Sequence, residues 1–171
     1  MVSRRLCLAA GGIAFLAAGS NAQTVYSGYD VAFTKAGFAN PSLPANQDAI
    51  TAGVAITRGS TAGIYNAVVQ ASYSLGGPAD TEWAFGTTAN WSTLTYDVWV
   101  NTVASSPPSS VGQNMVVHLI SEDIYLDIRF TAWGVGPSAG GSFSYVRSAI
   151  PAPGAIALLP IAGVCARRRR R

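Results

Sequence analysis

His118 is the only histidine in the chain, and it stands between Val117 and Leu119, where an alternating apolar segment sets it on one face of a strand. A lone imidazole can act as a base or as one metal ligand. It cannot form a His pair, so a zinc site around it would need carboxylates for its remaining ligands. The carboxylates fall into two groups. Asp80 and Glu82 are two residues apart, hence on one face of an extended segment, while Glu122, Asp123 and Asp127 surround a single turn. Oxygen ligands gathered at a turn suit calcium, which takes about six to eight oxygens, and Glu122 and Asp123 are the candidate calcium ligands. No EF-hand spacing and no repeated Asp-x-Asp accompanies them. A solvated turn with Asp127 beside Arg129 accounts for the same residues. Paired carboxylates would also serve glycoside hydrolysis, in which the separation of the two groups decides the stereochemical course.

Gly136-Pro137-Ser138-Ala139-Gly140 satisfies the letter of Gly-x-Ser-x-Gly. In hydrolases that motif sets the serine on a sharp strand-to-helix turn and places the histidine later in the chain. Here a glycine-rich loop follows and the sole histidine precedes, so the segment reads as a hairpin loop and no catalytic residue is nominated.

A third constellation is aromatic. Tyr125, Asp127, Arg129, Thr131 and Trp133 alternate with apolar residues and so share one side of a strand. Flat aromatic faces pack on the C–H surfaces of sugars while polar groups meet hydroxyls. Tyr125, Asp127, Arg129 and Trp133 are therefore the candidate ligand-binding residues, with a polysaccharide as ligand. The competing reading is that these bulky residues fill the second face of a sandwich.

The elements that must position these residues have a period of two rather than 3.6. Ile124, Leu126, Ile128 and Phe130 mark the core face of a strand from Ile124 to Trp133, and Asn114 to Ile120 is its hairpin partner across Ser121-Glu122-Asp123. A third strand is expected from Thr93 to Val103. Weaker ones are expected at Asp30 to Phe33, Ala49 to Thr57, Ala67 to Tyr73, Thr81 to Phe85 and Ser142 to Arg147. Asn40 to Pro44, Gly76-Gly77-Pro78, Ser105 to Pro108 and Gly134 to Gly141 mark loops. The fold class is all-β, an antiparallel β-sandwich or jelly roll.

Charge supports one acidic body between two basic ends. The whole chain of 171 residues carries a formal +3, but residues 23 to 150 hold 4 basic and 8 acidic side chains, a net of −4. That balance argues against a phosphate-binding surface, so no nucleic acid partner is expected. Both cysteines, Cys7 and Cys165, lie outside the body, so its stability must come from its core and not from disulfides.

The ends carry addresses. Arg4 and Arg5, the apolar run Leu6 to Ala18, and small residues at Ser20 and Ala22 form the three parts of a secretory signal peptide over residues 1–22, with signal peptidase cutting after Ala22. Residues 149–171 contain Pro151-Ala152-Pro153, an apolar stretch from Gly154 to Ala166 and five terminal arginines. As a helix, that stretch of 13 residues would reach about 20 Å, against a hydrocarbon core of about 30 Å, a marginal anchor whose arginines stay on the cytoplasmic side.

This tail resembles the PEP-CTERM sorting signal of Gram-negative bacteria, with Ala152 where the family usually has Glu. The resemblance implies an exosortase-type processing enzyme acting around Pro151, Ala152 and Pro153, and a transient stay in the inner membrane. The body, through Thr81-Glu82-Trp83-Ala84-Phe85-Gly86 and the segments around His118 and Trp133, resembles modules of exported bacterial proteins of unassigned function. These readings lead to an exported, surface-retained β-sandwich, residues 23–148, between a signal helix and a hydrophobic C-terminal helix. It is expected to hold no cofactor and to have a structural or binding role in the envelope or extracellular matrix. Rival readings are a carbohydrate-binding module and a small carboxylate-dependent hydrolase.

Overall fold

The computed structural model describes residues 23–74 and 76–151. The expected signal segment of residues 1–22 with Ala22, and the tail from Ala152 onward with Pro153, lie outside the described residues. Pro151 is exposed and belongs to no strand.

The strand predicted from Ile124 to Trp133 is present with those bounds as β8, numbering strands in chain order, and Leu126, Ile128 and Phe130 are fully buried. It is the axis of the larger sheet. A hairpin joins it to β7 (Met115–Leu119), with Leu119 opposite Ile124 and Met115 opposite Ile128. β7 in turn pairs with β6 (Thr81–Phe85). On the other side, the second half of β8 pairs with β9 (Phe143–Arg147), which carries β2 (Val31–Lys35) at the sheet edge. The first half of β8 pairs there with the parallel strand β1 (Thr24–Tyr26). Ser148 closes the junction between β9 and β1. Its fully buried hydroxyl accepts from the Asp127 amide (3.1 Å) and donates to the Tyr26 carbonyl (2.8 Å).

A second sheet, an antiparallel meander, is made of β3 (Asp48–Ala49), β4 (Ala55–Arg58) and β5 (Ile64–Asn66). Ile56 and Ile64 from this sheet share one core with Trp83, Val117, Leu126 and Phe130 from the larger one. The fold is all-β with predominantly antiparallel sheets. Its one α-helical turn among the described residues, α1 (Trp99–Thr102), delivers Trp99 into the core at 1 % exposure.

Three strand expectations are corrected. Residues 93–103 form no strand: a 3₁₀ segment Thr88–Thr93 leads to a single bridge between Asp97 and Trp83, and then to α1. The alternating Leu94, Tyr96, Val98 and Val100 line a segment crossing the outer face of the sheet, and Val98 is 40 % exposed. Residues 67–73 form turns, because side-chain amides take the bonds a ladder would need. Gln70 Oε1 accepts the amides of Asn66 (2.8 Å) and Ala79 (2.9 Å), while Asn66 Oδ1 accepts those of Ala55 and Val68. The expected strand from Ala49 to Thr57 divides at a turn whose hub is Thr51 Oγ1, which accepts from Gly53 and Val54.

The fourth correction concerns faces. Phe130 pairs with Tyr145 and Ala132 with Ser144, so Thr131 is an extra residue, a β-bulge. One inserted residue turns the rest of a strand over. Trp133 therefore leaves the side carrying Tyr125, Asp127 and Arg129 and joins the core side, with its ring 5.8 Å from Phe130 and 5.3 Å from Trp99.

Candidate functional site

Cross-strand register builds a row on the outer face of the larger sheet, with Glu82 opposite His118 and His118 opposite Tyr125. Directly opposed side chains in antiparallel strands are near neighbours, and these three interact. His118 Nδ1 lies 2.8 Å from Glu82 Oε1, its Nε2 lies 3.2 Å from Asp123 Oδ1, and its ring stacks on Tyr125 at 4.0 Å with an interplanar angle of 5°. Both contacts are hydrogen bonds only when both ring nitrogens carry protons. Trp91 and Tyr96, from the crossing segment, pack on Tyr125 at 4.8 and 5.6 Å. Burial first, then the negative charges of Asp123 and Glu82, push the Tyr125 phenol upward. Burial, then Tyr125 and Glu82, push that of Tyr96 well above its ordinary range.

The crossing segment is held down by Asp127, a buried carboxylate saturated with donors. Its Oδ1 accepts the Thr88 amide (2.7 Å), and its Oδ2 accepts the Thr88 hydroxyl (2.9 Å) and the Gly28 amide (3.1 Å). Arg129 lies over the Tyr29 ring at 4.7 Å. The four sequence-nominated ligand residues are therefore not one surface. Tyr125 is enclosed between His118 and Trp91, Asp127 is consumed internally, Arg129 covers Tyr29, and Trp133 is on the other side beneath the Arg58 guanidinium (3.9 Å).

The calcium pair also separates. Glu122 accepts the Thr51 hydroxyl (2.8 Å), tying the β7–β8 turn to the second sheet, whereas Asp123 turns to His118. Among the described residues no group of three or more His, Cys, Asp or Glu side chains is placed to hold a metal ion. Asp80 accepts from the amide and hydroxyl of Ser121. Ser138 is exposed in the loop after β8, remote in register from His118.

A cleft that sequence reasoning missed lies at the β4–β5 end of the molecule. It encloses about 350 Å³ between Pro41, the loop Gly59–Ala62, Tyr65, and the turn Ala71–Tyr73. Tyr65 is only 4 % exposed, yet its hydroxyl has no hydrogen-bond partner among the described residues; burial pushes its phenol upward. The walls are fixed from behind. Arg58 donates to the carbonyls of Ala62 (2.7 Å) and Thr61 (3.3 Å) and, across the sheets, to those of Gly134 and Ser142 (3.0 Å each). Among the described residues no carboxylate pairs with it, and burial lowers its pKa to about 10. Gly63 has no side chain because a Cβ there would meet the Tyr73 ring at 2.5 Å. The one sequence signal was a small polar loop, Gly59-Ser60-Thr61-Ala62-Gly63, between a buried cation and a tyrosine.

Compared with known protein-family models, with curated proteins and with solved structures, the chain finds no match.

Proposed function

We propose that this chain is an exported, surface-retained bacterial protein, an unequal two-sheet β-sandwich with a structural or binding role in the envelope or extracellular matrix. The observation that carries this reading is the use made of the most reactive groups of the predicted face. Asp127 holds the crossing segment, and Glu82 and Asp123 clamp His118 between them. Carboxylates engaged in this way brace a surface. A hydrolase would need to withdraw them from those bonds before using them as acid or base. Export rests on the two terminal patterns, and the absence of cysteine between residues 23 and 151 suits a domain that matures outside the cell without pairing thiols.

Protease shaving of intact producing cells, followed by intact-mass analysis of the released or retained protein, tests the reading. The expected product is surface-accessible, begins at Gln23 and lacks the arginines from Arg167 to Arg171. A protein that stays inside the cell and retains both Met1 and Arg171 would overturn it.

A further inference from the structure

We propose that the cleft between Pro41, Gly59–Ala62, Tyr65 and Ala71–Tyr73 binds one or two units of a neutral glycan; this rests on the binding role above and names its ligand class. The first argument is the lining. It offers the half-buried Tyr73 ring, the Tyr65 side chain, and the hydroxyls of Ser60, Thr61 and Ser72, and it includes no charged side chain. Aromatic faces take the C–H side of a sugar ring while hydroxyls exchange hydrogen bonds with its rim. An anionic ligand would lose hydration there without a charged hydrogen-bond donor to meet it, since no charged side chain lines the cleft and Arg58 behind its wall turns its donors to four carbonyls.

The second argument is the Tyr65 hydroxyl. The Tyr65 ring is buried, but its hydroxyl keeps contact with the solvent of the cleft and has no hydrogen-bond partner among the described residues, so it is open to a partner from the cleft. The tyrosine is held at that depth by its place on β5, opposite Thr57. A ligand hydroxyl bonded there would replace water without leaving any buried group unsatisfied.

The third argument is preorganisation. Arg58 fixes one wall through two carbonyls, and Tyr73 seats on Gly63. Gly141, at φ +68°, lets its own backbone lie directly against the Gly59 carbonyl, where any side chain would collide. A cleft whose walls need not be ordered on binding retains more of its contact energy as affinity. The volume lies near the lower end of small-ligand clefts, about 300–1,000 Å³, which suits a short stretch of sugar units.

The test is retardation of the full chain, in mild detergent, through native gels containing dextran, galactomannan or xyloglucan, with alginate as the anionic polymer and a proline decapeptide titrated separately. At least one neutral polymer is expected to retard the protein, and alginate and the peptide are not. Tyr65→Phe, which removes only the hydroxyl, is expected to weaken retardation about five-fold or more at an unchanged melting temperature. Ser60→Trp, from an exposed position, is expected to block the cleft and abolish it. Absence of retardation by every neutral polymer, unchanged retardation in both variants, or binding of alginate or the peptide in their place would overturn the proposal. Surface display is measured independently, so its failure beside intact glycan binding would remove the export reading and leave the cleft.

Discussion

Arg147 grips Asp48 with two parallel hydrogen bonds, Nε to Oδ2 at 2.6 Å and Nη2 to Oδ1 at 2.7 Å, and in doing so joins β9 of the larger sheet to β3 of the smaller. Both residues are buried, and the Tyr145 hydroxyl adds a third donor to Oδ2 at 2.7 Å. Removing one partner of such a pair strands the other charge out of water, at a cost of about 3–5 kcal/mol, whereas replacing both with apolar residues of similar size can be close to neutral. Asp48→Ala is therefore expected to lower the urea midpoint sharply, and Asp48→Leu with Arg147→Met to recover most of the loss. Equal losses in the two variants would show that the pair contributes more than mutual neutralisation.

The same network gives the protein an alkaline limit. Burial, then the charge of Asp48 and the bond Tyr145 donates to it, hold the Tyr145 phenol well above 10.0, with Arg147 opposing. The stabilisation is complete below the unfolded value near 10 and is lost as pH rises above it toward the folded value, because the unfolded chain ionises first. Arg58 and Lys35, both lowered by burial, act in the opposite sense, since the folded state releases their protons first. Tyr145→Phe separates the contributions. It should be less stable by about 1 kcal/mol at neutral pH, from the lost hydrogen bond, yet decline less steeply above pH 10 in a melting series. Parallel declines would place the alkaline sensitivity elsewhere.

Trp133 belongs to the core because of Thr131. Trp133→Ala removes the contacts with Trp99, Phe130 and Phe143 and the surface beneath Arg58, and is expected to cost about 3–5 kcal/mol. Deleting Thr131 leaves Ala132 opposite Ser144 and Trp133 opposite Phe143 in unbroken alternation with Phe130, so Trp133 should stay on the core side and tryptophan emission should hold, with only the Thr131–Ser144 hydroxyl bond lost. A deletion variant whose emission moves to longer wavelength would mean that the register with β9 alone does not set the side chain's direction.

The sequence announced the strands whose alternation matches burial. β6 and β8 lie where the pattern of two placed them, and the turn Ser121-Glu122-Asp123 closes the expected hairpin. Alternation failed at residues 93–103, where apolar residues line an overlying segment, and at Gln70 and Asn66, whose amides compete with the backbone ladder. β1, three residues in parallel pairing, was too short to carry a pattern. The His118 row was half legible. Glu82, His118 and Asp123 were each singled out, but their meeting depends on register between three strands. The cleft left no more trace than the small polar loop Gly59–Gly63, because Pro41, Ser60, Tyr65 and Tyr73 are ordinary residues brought together by loops and a short strand.

Asp127 should govern whether the crossing segment stays on the sheet. Its two oxygens take three donors, from Gly28 before β2 and from the amide and hydroxyl of Thr88, and no carbonyl or lysine could satisfy all three. Asp127→Asn keeps the shape but sets an NH₂ group against donors at one of the two positions. The expected cost is about 1–3 kcal/mol, the penalty of a buried donor left unsatisfied. Because Thr88 begins the segment that lays Trp91 and Tyr96 over Tyr125, the loss should be local as well as global. Amide hydrogen exchange is expected to quicken together at Gly28 and at residues 88–93, while β9 keeps its protection. Thr88→Val, which removes only the hydroxyl donor, should produce a smaller change in the same residues. If exchange at Gly28 and Thr88 is unaltered in Asp127→Asn, the carboxylate is not what holds the segment, and the stacking of Trp91 on Tyr125 must do so alone.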